Sequence, residues 1–154
     1  MTKTVSWVRR IPVYLVGLFL MTVGVNLSVL SGLGVSPIDT IPYVVSLISG
    51  KSLGLCTTLV FSVYIVLQIL ILRRDFQWFN LLQLVISTIF GWFVTLSGML
   101  TNLLPANPGY LIQFIYMLCS IVFLGTGIFL YVAADILNMP ADAVALALAF
   151  KTGK

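Results

Sequence analysis

Four aspartates, Asp39, Asp75, Asp135 and Asp142, are the only acids in the chain, so any ionic or proton chemistry would have to be built on them. Histidine is absent, and the sequence contains no glutamate. That removes the usual general base, histidine-dependent nucleophilic triads, paired glutamates and most metal-ligand sets. The expectation is a protein that is not an enzyme and carries no metal or cofactor. Cys56 and Cys119 sit inside apolar runs, where a thiol acts as a small hydrophobe, and no disulfide follows from them.

Asp39 stands in Ser36-Pro37-Ile38-Asp39. Serine before a first-turn proline, with an acid three residues on, is a capping-box pattern. A carboxylate in an apolar membrane segment is also a functional candidate, because its insertion costs about 2.5–3.5 kcal/mol at the bilayer centre. Asp142 follows Asn138-Met139-Pro140, where Asn138 would take the place of the serine cap. Asp135 ends an apolar run and reads as an interface residue. Asp75 follows Arg73 and Arg74 and reads as a solvated loop charge. Asn26, Ser28, Ser31, Asn80 and Gln83 are polar residues inside apolar runs, which suits hydrogen bonds between helices. Asp39, Asp142, Ser36 and Asn26 form the candidate solute-binding set.

The elements that must position these residues are membrane helices. Apolar residues make up 60% of the chain, charged residues only 8%, and the mean hydropathy is +1.15, a composition foreign to ordinary soluble domains. A hydrocarbon core about 30 Å thick needs roughly 20 apolar residues in a helix. Four runs qualify: Ile11 to Leu30, Leu53 to Leu72, Phe79 to Leu100 and Tyr110 to Ala133. The first is too long for a secretory h-region and lacks a small-x-small cleavage site, so it reads as a retained helix. Pro12 is tolerated in its first turn.

The net charge of +4 then belongs to loops. No soluble stretch is long enough for a nucleic-acid surface. Lys3, Arg9 and Arg10 place the N-terminus inside, and Arg73 and Arg74 place their loop inside as well. Trp7 and Trp78 flank these clusters as interfacial anchors. The uncharged stretch 101–109 suits the outside. The run from Leu53 must therefore start outside, where the first helix has just ended. Between them lies the short apolar stretch Pro37 to Ser49, which reaches about 20 Å as a helix. It reads either as a re-entrant half-helix on the outer face or as a short, tilted fifth span that reverses everything downstream. Gly32 and Gly34 permit the turn into it.

Shifting the sequence by 103 positions superposes Gly24 on Gly127, Leu27 on Leu130, Val29 on Val132, Pro37 on Pro140, Asp39 on Asp142, Gly50 on Gly153 and Lys51 on Lys154. A repeat follows, with residues 11–51 as one unit, residues 110–154 as the other, and two helices over 53–100 between them. Each unit is a long helix followed by a Pro-headed half-helix, and the re-entrant topology inverts one unit against the other. Inverted repeats with half-helices are a construction of secondary transporters. The second unit stops where the first continues into a further helix; either the chain is naturally short or truncated, or another subunit supplies the counterpart.

Arg9-Arg10, Tyr14, Gly17-Leu18, Gly24, Leu33-Gly34-Val35-Ser36-Pro37, Gly50-Lys51-Ser52-Leu53-Gly54, Leu82-Gln83 and Phe90-Gly91 resemble the bacterial YczE/YyaS/YitT-type membrane proteins. The resemblance implies a multi-pass protein of the bacterial inner membrane from a family without an agreed activity, usually about one helix longer. Gly50 to Gly54 is no hydrolase elbow, since no histidine exists and no strand precedes it.

The sequence thus predicts an all-α membrane protein with four transmembrane helices and two half-helices in an inverted repeat. Its expected partners are the lipid bilayer, a second copy or another membrane subunit, and a small solute or ion, with no nucleic acid. Its function reads as a small-solute transporter or exporter. The alternative is an accessory membrane protein acting through a partner.

Overall fold

A computed structural model describes residues 7–73, 78–105 and 109–152. Lys3, Arg74, Asp75, Gly153 and Lys154 lie outside the described residues, and so do the expectations placed on them. Six α-helices follow one another among the described residues: α1 Trp7–Ser31, α2 Pro37–Ser49, α3 Leu53–Leu72, α4 Leu82–Thr101, α5 Tyr110–Ala134 and α6 Pro140–Thr152. Among the described residues there is no strand. Four helices among the described residues are long and apolar enough to cross a membrane: Arg10–Ser31, Leu53–Leu72, Leu82–Thr101 and Tyr110–Ala134. Side chains such as Leu111, Val122 and Phe129 of α5 are left exposed, and lipid is the medium that tolerates them. The third span begins later than the run suggests, because Trp78–Leu81 winds as a 3-10 turn before α4 starts.

Element boundaries repeat at the same spacing as the residues. α1 ends at Ser31 and α5 at Ala134, 103 positions on, and α2 opens at Pro37 and α6 at Pro140, again 103 positions on. The ends of α1 and α5 are built alike as well. Gly32 and Asp135, again 103 apart, have φ values of +66° and +47°. Their N–H groups donate to Val29 O at 3.2 Å and Val132 O at 3.1 Å. Left-handed residues terminate many helices, and aspartate is among the few non-glycine types enriched there. Asp135 is therefore the C-cap of α5.

The chain divides into two compact units, 1–36 with 93–136, and 37–92 with 137–154. In the first, α1 packs along α5. Tyr14 meets Tyr131 at a ring separation of 5.8 Å, Gly17 lies against Gly127, Gly24 lies against Ser120 and Leu124, and the Ser31 hydroxyl reaches the Met117 sulfur at 3.9 Å. Residue numbers rise along one helix as they fall along the other, so α1 and α5 are antiparallel. A Cβ on Gly24 would stand 2.9 Å from Leu124 N and 3.0 Å from Ser120 O. The close backbone approach thus depends on small residues, as is common between membrane helices. The C-terminal half of α4 packs on α1 through Phe19 and Phe93, edge to face at 5.6 Å.

In the second unit, α3 is the common support, with α2 and α6 both packed on it. The N-terminal half of α4 runs antiparallel to α3: Gly91 faces Gly54 and Thr58, Phe61 stacks on Phe90 at 5.7 Å, and Gln68 reaches Gln83. Gly50 closes α2 with a φ of +65°, its N–H donating to Ser46 O at 3.0 Å.

Candidate functional site

Asp39 is fixed in the first turn of α2 by Pro37, whose missing N–H costs nothing there. Counting from it by helical steps gives Pro42, Tyr43 and Ser46, the stripe of α2 that is buried or half-buried, while Ile41, Val44, Leu47 and Ile48 are exposed. The packing face of the helix thus carries Asp39 inward and leaves it only 8% exposed. The carboxylate makes no hydrogen bond or ion pair among the described residues. This corrects the Asp39 half of the capping box. Position 39 falls on the inward stripe, so the carboxylate does not turn back to the Ser36 N–H. No fully enclosed side-chain oxygen or nitrogen lacks a partner among the described residues, so the Asp39 oxygens must border open space.

Asp142 takes the equivalent place in the first turn of α6 and is half-buried. The Asn138 cap is also corrected. Asn138 is exposed, and the first carbonyl of α6 to accept a bond is that of buried Met139, from Ala143 N at 2.9 Å. Ser36, half-buried, immediately precedes α2.

Asn26 belongs to the first unit and is used within it. Its amide nitrogen donates to Thr22 O at 3.0 Å, to Val94 O at 3.0 Å and to Ser97 Oγ at 2.8 Å. This ties α1 to α4, the interhelical role that its residue type suggested. Ser28 stays local to the end of α1, its Oγ donating to Gly34 O at 2.7 Å, whereas Ser31 Oγ bonds Ser28 O at 2.7 Å and also reaches the Met117 sulfur of α5 at 3.9 Å. Of the four candidate residues, Asp39 and Asp142 lie in the second unit, and Asn26 and Ser36 in the first.

Sequence reasoning passed over Gln68. Its amide donates to Gln83 Oε1 at 3.0 Å and to the Pro140 carbonyl at 3.2 Å. It joins α3, α4 and the first turn of α6, and is 1% exposed. A lone glutamine in a long apolar run is the signal that could have found it, since such a group needs a partner inside hydrocarbon.

Pro37 and Ile38 of α2, Tyr64 of α3, and Ala141, Val144, Ala145 and Leu148 of α6 line one cavity of about 340 Å³. Pro37 and Ile38 occupy the first turn of α2, and Ala141 is the repeat equivalent of Ile38. The heads of both half-helices therefore reach the same space within the second unit. Among the described residues, no group of three or more potential metal ligands occurs.

A family model described as a family of unknown function, DUF6198, matches residues 8–154. The chain belongs to this family. The match covers every helix that carries the candidate residues, and the family has no characterised activity. No curated protein and no solved structure matches the chain.

Proposed function

We propose that this DUF6198 chain is a small membrane transporter of inverted-repeat construction, its solute path bordered by the heads of α2 and α6. The observation that carries this reading is the convergence of Pro37, Ile38 and Ala141 on one cavity against Tyr64. Half-helices that meet near a midplane site are the transporter device that the repeat implied.

Helix direction supports the inversion. Between antiparallel α1 and α5 lie two full-length spans, α3 and α4. Two intervening crossings make α5 run opposite to α1, whereas a third crossing, by α2, would make the two parallel. With 13 residues, α2 reaches about 20 Å of the roughly 30 Å required. It enters and leaves on one face in this reading. The basic residues Arg10 and Arg73 favour an inside N-terminus, and the resemblance to YczE/YyaS/YitT-type proteins favours the bacterial inner membrane.

Asp39 and Asp142 serve in this scheme as the coupling or binding carboxylates. Asp39, a buried carboxylate that borders open space and has no hydrogen-bond partner among the described residues, is poised to exchange a proton or a cation. A second reading, an accessory protein acting through a membrane partner, draws on the outward face of α5, where Leu111, Val122 and Phe129 stay uncovered.

Proteoliposomes holding the full chain and loaded with mixed metabolites and lipophilic amines separate the two readings. Transport predicts loss of at least one component relative to empty liposomes, and arrest of that loss by Asp39→Asn in a protein that still folds. If no component moves, the accessory reading takes its place.

A further inference from the structure

The cavity between the half-helix heads has a chemistry narrower than the word solute. Of its seven lining residues, six are apolar, and the Tyr64 phenol supplies the one polar group. Asp39 and Asp142 each follow a lining residue in sequence, yet neither lines the cavity. The cavity is open on one side, with Ile38 and Leu148 exposed at its rim, and a polar molecule drawn into it would exchange part of its hydration for a single hydroxyl. Moving one uncompensated amide or hydroxyl from water to hydrocarbon costs about 4–8 kcal/mol. An alkyl chain or a ring system incurs no such cost. If it arrives from the bilayer it gains little by the transfer either, since lipid tails are as apolar as the leucine and valine that would receive it. Weak, reversible occupancy suits a substrate in transit better than a structural lipid. At about 340 Å³ the space falls at the small end of ligand pockets, which run from roughly 300 to 1,000 Å³.

We infer that the cavity formed by Pro37, Ile38, Tyr64, Ala141, Val144 and Leu148 binds the apolar part of a membrane-dissolved amphiphile, so that the substrate class is lipophilic. This rests on the proposed path between α2 and α6, but it concerns binding and can be read without any flux.

The experiment uses the full chain in lipid nanodiscs with Trp7, Trp78 and Trp92 each replaced by Phe, and a single reporter introduced by Tyr64→Trp. Leu148→Trp is a second reporter at the same cavity should the first fail to fold. The probe is a terminally brominated long-chain alcohol, which quenches indole fluorescence on contact. Expected is quenching that saturates with probe concentration and is reversed by the unbrominated alcohol but not by glucose, glycine or sodium chloride. A third reporter, Val122→Trp on the exposed face of α5, should show only unsaturable quenching by probe dissolved in the lipid. Unsaturable quenching at the cavity reporters, indistinguishable from that at position 122, would overturn the inference. So would no quenching at all, the result expected if a second copy or another protein segment fills the cavity. Saturable quenching without flux in proteoliposomes removes the transport reading and leaves the inference standing; flux of a polar metabolite with no cavity quenching does the reverse.

Discussion

Gly17 of α1 and Gly127 of α5 lie backbone against backbone: a Cβ on Gly17 would fall 3.0 Å from the Gly127 oxygen, and one on Gly127 would fall 2.8 Å from the Gly17 oxygen. Neither position has room for a methyl group, because the obstacle on each side is main chain. Gly127→Ala is therefore expected to lower stability by about 1–3 kcal/mol, the usual cost of overpacking. Thermal unfolding in nanodiscs measures it, with Gly125→Ala as the control, since nothing stands within 4 Å of a Cβ there. Equal effects at 125 and 127 would contradict the packing described for α1 and α5.

Gln68 and Gln83 give an asymmetric prediction. Gln83→Leu removes one bond and leaves Gln68 on the Pro140 carbonyl; Gln68→Leu removes both. Interhelical hydrogen bonds in membranes average about 0.6 kcal/mol and reach about 1.7, so the Gln68 variant should be the less stable of the two. A double-mutant cycle read by thermal or denaturant unfolding should return a coupling in that range.

The orientation of α2 is settled by two cysteines. With Cys56 and Cys119 replaced by serine, Leu33→Cys and Lys51→Cys flank the helix on either side. A membrane-impermeant thiol reagent should label both from the same face of sealed vesicles. Labelling from opposite faces would make α2 a fifth span and remove the inverted repeat.

Asp39→Asn addresses the carboxylate itself. A capping-box acid loses stability when its charge is removed, whereas a buried acid without a partner loses none and is relieved of a desolvation cost. The melting temperature is expected to hold or rise. A clear fall would show that the carboxylate has a structural partner after all.

Much of this architecture was legible because the chain punctuates itself. Pro37 and Pro140 open the half-helices at their first positions, Gly50 closes α2, and the run from Leu53 to Leu72 is a helix from end to end. The start of α4 was displaced by a 3-10 turn, which apolar composition does not distinguish from α-helix. The Asp39 half of the capping box failed because a local motif competed with the inward stripe through Pro42, Tyr43 and Ser46, and packing prevailed. Gln68 was missed for a different reason: one of its partners is a backbone carbonyl on a helix 72 positions away, and a carbonyl leaves no mark in a sequence. Gly24 and Gly127 were visible as a matching pair, but that they sit on one contact surface appears only in three dimensions.

Gly24 touches Ser120, the equivalent of Gly17, and Gly17 touches Gly127, the equivalent of Gly24. A surface that meets its own copy through the same residues, exchanged, is isologous, as in a two-fold dimer. The two aspartates 103 positions apart do not share this likeness: Asp39 is sunk beneath its helix and Asp142 is left half in the open.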